Sequence, residues 1–203
     1  MFLLERIINV SHELNRRDVL SRAACALAMG TGGSLCAAGA HAGETEKPES
    51  GSRPNVGGYC GIYCGSCALY LQSVSANDPS EVKCMGCKSG TVAPHCQKCP
   101  IKDCASKKGL DSCGECDDFP CDKTKKFHGS GRDFAFVAEK NCYVLSQCAY
   151  TEWLKTQQTR WSCVKCGTTF SNRVEECPKC QSKVYSCAEE AAAFRSYREA
   201  AKG

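Results

Sequence analysis

Apolar periodicity is clearest between Asp133 and Trp161. Val144, Leu145, Cys148, Ala149, Trp153 and Leu154 recur largely at steps of three and four residues. That spacing predicts one amphipathic helix of three to five turns over residues 133–160, with its apolar face on the segment before it. GSGR, residues 129–132, reads as the loop that precedes it. Upstream, the expected elements are short. ALYLQSVSA, residues 68–76, predicts two helical turns ended by Asn77-Asp78-Pro79. IKDCASKKG, residues 101–109, predicts another helix with Gly109 at its C-terminal end. The tail, residues 188–203, is rich in Ala and charge and predicts a helix. Phe194 and Tyr197 give it one narrow contact face; the competing reading is a frayed, exposed helix.

The N-terminus reads as an address rather than a fold. Arg16-Arg17 is followed by Val19-Leu20, then by a weakly apolar stretch from Ala23 to Ala40. Ala40-His41-Ala42 is an A-x-A cleavage site before Gly43. Residues 1–42 therefore resemble a twin-arginine (Tat) signal peptide, and the expected location is the periplasm of a Gram-negative bacterium. Residues 43–58, polar and rich in Gly, Pro and Glu, predict a linker. No later segment is apolar and long enough to span a bilayer, so no integral membrane segment is expected after cleavage.

Composition changes the picture at once. The chain has 203 residues and 20 cysteines, and its hydrophobic content of 42% counts those cysteines. Cysteine chemistry, rather than a large oily core, is expected to hold such a fold together. The net charge of +4 is too mild to drive binding to a polyanion, which argues against nucleic acid as a partner.

Six C-x2-C pairs run along the chain: Cys64/Cys67, Cys84/Cys87, Cys96/Cys99, Cys113/Cys116, Cys163/Cys166 and Cys177/Cys180. Two intervening residues let both thiolates face one ion at about 2.3 Å. SCVKCG and CPKCQ, residues 162–167 and 177–181, make a zinc-ribbon pattern over residues 161–187. Cys163, Cys166, Cys177 and Cys180 are expected to bind one tetrahedral ion, zinc first and mononuclear iron as the alternative. Gly167 is expected to turn the chain under the metal at positive φ. Cys187 has no assigned partner.

The denser cluster comprises Cys60, Cys64, Cys67, Cys84, Cys87, Cys96, Cys99, Cys104, Cys113, Cys116 and Cys121. The spacing C-x2-C-x4-C occurs in it twice, as CQKCPIKDC and CGECDDFPC. YCGIYCGSCALY, CMGC, HCQKCPIKDCASKKGLDSCGEC and DFPC, in that order, resemble the DUF3795 family of small cysteine-rich proteins. The resemblance covers residues 59–127, and all eleven cysteines fall on the family pattern. It implies a metal-binding cysteine-rich domain. It extends in outline through TEWLKTQQTRWSCVKCG, because members often carry a helix leading into a C-terminal zinc ribbon. The family is uncharacterised, so no activity follows from it. Eleven ligands do not divide into four-ligand sites; His95, Asp103, Asp118, Cys142 and Cys148 are candidates for a twelfth.

The expected fold is a small metal-stabilised α+β or irregular domain with short helices. A connecting helix and a zinc ribbon of β-knuckles complete it. The expected cofactors are zinc in the ribbon and zinc or iron–sulfur in the cysteine-rich domain. Disulfides suit an exported chain, but C-x2-C bridges close tiny rings and remove little unfolded-state entropy. No nucleotide loop, G-x-S-x-G or HExxH occurs. The leading expectation is a non-catalytic exported metal-binding protein, accessory to a redox partner. An iron–sulfur or rubredoxin-like electron carrier and a thiol-based metal store or interaction module are the alternatives.

Overall fold

Prolines, glycines and a few capping side chains set where each helix starts and stops in the computed structural model, which describes residues 56–201. The signal-like segment and most of the linker lie outside the described residues. Helix α1, Ala68–Val74, ends before Asn77, and the Asp78 side chain accepts from Ser80 N–H at 2.8 Å to start the 3-10 turn Pro79–Glu81. Helices α2, Pro94–Gln97, and α3, Pro100–Lys107, both open on a proline, whose missing N–H costs nothing in a first turn. Past the end of α3, Gly109 takes φ +69°. Gly109 N–H then reaches Ser106 O and Leu110 N–H reaches Ala105 O, each at 3.1 Å, which completes a Schellman stop.

Helix α4, Asp122–His128, leads through the Gly129–Arg132 loop into α5, Asp133–Leu145, and then α6, Tyr150–Arg160. The single helix expected over residues 133–160 is therefore two. A rod of that length would run about 40 Å and carry Trp153 away from the N-terminal loops. Instead the chain leaves the helix at Ser146 and Ala149 is extended, which turns α6 back. Tyr150 Oη then donates to Gly57 O at 3.1 Å, and Trp153 meets Tyr63 edge-on at 6.3 Å. Helix α7, Cys187–Ala200, opens on a capping box formed by Ser186 and Glu189. Its Phe194 is buried against Phe136, their ring centroids 5.0 Å apart, so the tail is a packed helix and not a frayed one.

No strand occurs among the described residues. The expected β-knuckles are two tight cysteine turns, each flanked by one isolated bridge, Ser162↔Thr169 and Glu176↔Lys183. Just past each bridge one more backbone bond forms, Phe170 N–H to Trp161 O and Val184 N–H to Glu175 O, each at 3.0 Å; α6 has ended at Arg160 and α7 begins at Cys187.

Helix α5 is the spine. Ala135, Val137, Ala138, Asn141, Cys142 and Leu145 are buried on it. One core joins Val137 and Leu145 to Tyr63, Trp153, Trp161 and Phe170; a second joins Cys142 to Ile101, Ala105 and Cys113. As expected, α5 packs on the cysteine-rich segment. The approach is close enough to need glycine at two points. A Cβ on Gly114 would stand 2.3 Å from Cys142 O, and one on Gly61 only 2.2 Å from Ala138 O. Gly61 also holds φ +87°, and its carbonyl accepts from the buried Asn141 Nδ2 at 2.9 Å. Gly61→Ala is expected to cost more than about 2 kcal/mol, through left-handed strain plus the clash. Gly90→Ala, with nothing within 4 Å of its Cβ, is the control. Equal urea midpoints for the two variants would contradict this account of the contact.

Candidate metal centre

The two cysteine turns near the C-terminus are built alike. Gly167 N–H donates to Cys163 O at 2.8 Å, and Gln181 N–H donates to Cys177 O at 2.9 Å. Cys163 N–H then reaches Thr168 O at 2.9 Å, and Cys177 N–H reaches Ser182 O at 2.8 Å. Each turn needs a left-handed residue just after its second cysteine. Gly167 supplies it at φ 73°, as expected, and Gln181 at φ 58°. A side chain in that region costs about 1–2 kcal/mol, so the second turn is held against its own preference by what surrounds it.

These turns bring Cys163, Cys166, Cys177 and Cys180 together, with all four sulfurs within 4.8 Å of one another. Cys163 Sγ lies 3.6 Å from Cys180 Sγ, and Cys166 Sγ lies 3.5 Å from Cys177 Sγ. Four sulfurs bound at about 2.3 Å to one tetrahedral ion stand about 3.8 Å apart, so the set can hold a single metal ion. Cys163 and Cys177 are buried against Trp161 and Phe170; Cys166 and Cys180 are half-buried. Among the described residues, this is the only set of three or more Cys, His, Asp or Glu drawn this tight.

Hydroxyls surround the thiols. Ser182 Oγ lies 3.0 Å from Cys180 Sγ and 3.4 Å from Cys163 Sγ, and Thr168 Oγ1 lies 3.3 Å from Cys166 Sγ. The Ser182 hydroxyl brings the Cys163 thiol down to about 6 and also lowers Cys180, which favours thiolates there, while burial and the hydrogen bonds with Cys166 and Cys180 push Cys177 up to about 11. Ser182, Thr168 and Gln181 escaped the sequence reading. Laying CVKCGT beside CPKCQS would have exposed all three as matching positions.

The eleven cysteines of residues 60–121 are distributed differently. All eighteen described cysteines are free thiols. Cys64 and Cys113 each open a C-G-x-C 3-10 turn, and Cys67, Cys99 and Cys121 are N-caps of α1, α3 and α4. Burial, then the neighbouring Cys87, Cys84, Cys99 and Cys67, pushes the Cys96 thiol up to about 11. Burial raises Cys60 and Cys64 as well, with Cys87 among the charges acting on each. Cys104, by contrast, lines a cavity with Cys113, Cys116 and Cys121. The repeated C-x2-C-x4-C is thus not one structural unit used twice, because Cys104 parts from Cys96 and Cys99.

Of the candidates for a twelfth ligand, Cys142 is fully buried between Gly61 and Gly114, and Cys148 lies in the link between α5 and α6. His95 and Asp103 are exposed. Asp118 is paired with Lys108 at 2.6 Å. Cys187 is buried in the core at the start of α7. His128 is buried with Nε2 3.0 Å from the Cys60 carbonyl, so that ring nitrogen donates to backbone and not to a thiol.

A family model described as a protein of unknown function (DUF3795) matches residues 56–126. Those residues are a DUF3795 domain. The match ends within α4, so α5, α6 and the four-cysteine centre lie beyond the matched residues of the DUF3795 domain. No curated protein and no solved structure matches the chain. No helix among the described residues is long and apolar enough to cross a membrane.

Proposed function

We propose that the chain is a non-catalytic metal-binding protein in which metal thiolates hold together both the DUF3795 domain and the module that follows it. The observation that carries this reading is the closed set of Cys163, Cys166, Cys177 and Cys180. Four thiolates around one ion leave no position for substrate or water, which is the arrangement of a structural centre. Zinc is the ion proposed there; mononuclear iron would use the same ligands. The eleven thiols of the DUF3795 domain are proposed to bind zinc or iron–sulfur. Export through the Tat-like segment fits this reading, because that route carries folded proteins. Metal loaded in a reducing cytoplasm would protect the thiols in an oxidising periplasm, where the protein would serve a redox partner.

Elemental analysis of the purified chain tests it. Cys166→Ser is expected to lose about one zinc per chain relative to the wild type, since the centre needs all four ligands. Equal zinc contents would remove the reading, and a red, iron-containing wild type would move it to iron.

A further inference from the structure

We propose that Cys104, Cys113, Cys116 and Cys121 hold an iron–sulfur cluster, a second centre of different chemistry from the first. The inference rests on the metal-binding reading above and assigns four of the eleven thiols to one site. The four cysteines come from α3, the two ends of a 3-10 turn and the N-cap of α4, yet they line one cavity of about 280 Å³. No three of their sulfurs lie within 4.8 Å of one another.

Those two facts favour a larger group over a single ion. Around one zinc the sulfurs close to about 3.8 Å, as at Cys163, where all four stand within 4.8 Å of one another. A zinc–thiolate cluster does not fit either, because bridging thiolates must also touch. Four thiols that line one cavity without three of them meeting suit a larger inorganic group, and iron with inorganic sulfide is such a group, held by four cysteine ligands.

The walls agree. Ile101, Ala105 and Phe119 give an apolar lining, and two cations stand there against one carboxylate, Asp118, which pairs with Lys108 at 2.6 Å. Lys108 Nζ donates to Cys116 Sγ at 3.4 Å, and Lys123 also borders the cavity. Such charges balance a four-thiolate cluster and raise its reduction potential. Cys99, the N-cap of α3, is not among the residues that line this cavity.

The test is anaerobic reconstitution of the full chain with ferrous iron and sulfide. Iron, acid-labile sulfide and zinc are then measured on the same samples. Against the wild type, Cys113→Ser/Cys116→Ser is expected to lose about four iron and four sulfide while the zinc at Cys163 stays. Equal iron and sulfide in the two proteins overturns the proposal, as does zinc in place of iron at these cysteines. Zinc without iron sinks only the cluster, and iron without zinc sinks only the zinc centre. Should the double variant fail to fold, Lys108→Gln decides. It is expected to keep the wild-type iron content and to show a lower reduction potential; an unchanged potential places the cluster elsewhere.

Discussion

Stripping the chain with a strong chelator, or replacing Cys177 by serine, is expected to unfold residues 161–186 and bring Trp161 into water. The expected effect is large because metal binding in such a module is folding free energy. Structural zinc supplies about 10–16 kcal/mol in small zinc domains near neutral pH, against a whole-domain stability of about 5–15 kcal/mol. No strand braces the module among the described residues, and its two turns are each flanked by a single bridge. Its apolar content, Trp161, Phe170 and Val184, is buried around the buried sulfurs of Cys163 and Cys177. Without the ion, four thiols are left crowded and Gln181 is left in a left-handed conformation. Tryptophan emission should shift to the red, and amide protection should fall across both cysteine turns. Acid should act in the same direction, since the ligands must be thiolates and protons displace the metal as pH falls. Unchanged emission and exchange after metal removal would show that the module does not depend on its ion.

Glu190→Ala is expected to destabilise the chain by about 3–5 kcal/mol. Glu190 on α7 is only 4% exposed, and it accepts from Lys140 of α5 and from Arg160 of α6. Arg160 Nη2 is 2.8 Å from Oε2, while its guanidinium also lies over the Trp161 and Tyr185 rings. Removing the carboxylate leaves two largely buried cations facing each other with no counter-charge, and the three helices lose their shared anchor.

The pH dependence follows from the same triad. Burial alone would raise the Glu190 carboxyl, but Lys140 and Arg160 outweigh it and hold it below its ordinary value of 4.5. A depressed carboxylate contributes its full stability above 4.5 and loses it as pH falls through the lower folded value. The wild type should therefore lose stability on the acid side more steeply than Glu190→Gln. Urea midpoints at a series of pH values measure this, and parallel curves would rule out a net ionic contribution from Glu190.

Much of the local structure was readable in the chain. The Asn77-Asp78-Pro79 breaker, the Gly109 stop and the α7 tail are local events, fixed by backbone sterics and by caps a few residues away. The four ligands of the C-terminal centre were readable for the same reason: C-x2-C places two sulfurs side by side whatever the rest of the chain does. The break between α5 and α6 was not readable, since the apolar steps through Leu145 and Trp153 suit a straight helix equally well. What bends the chain is a destination, Gly57 and Tyr63, nearly a hundred residues away for Tyr150.

The sequence by itself determined the thiol chemistry, the short helices and the closed four-cysteine centre, because each depends on neighbours within one or two turns of chain. Only the tertiary structure decided how the remaining thiols are divided. Cys104 repeats the spacing of Cys121, yet it stands with Cys113, Cys116 and Cys121 because α3 and α4 face one cavity. The buried Lys140–Glu190–Arg160 triad is likewise invisible in sequence, where its members look like surface charges on the helix expected over residues 133–160 and on the tail helix. Local spacing can say that a thiol is a ligand; which partners share its metal depends on how distant segments pack, and that is set by the glycine contacts and buried charges that fix α5 at the centre of the fold.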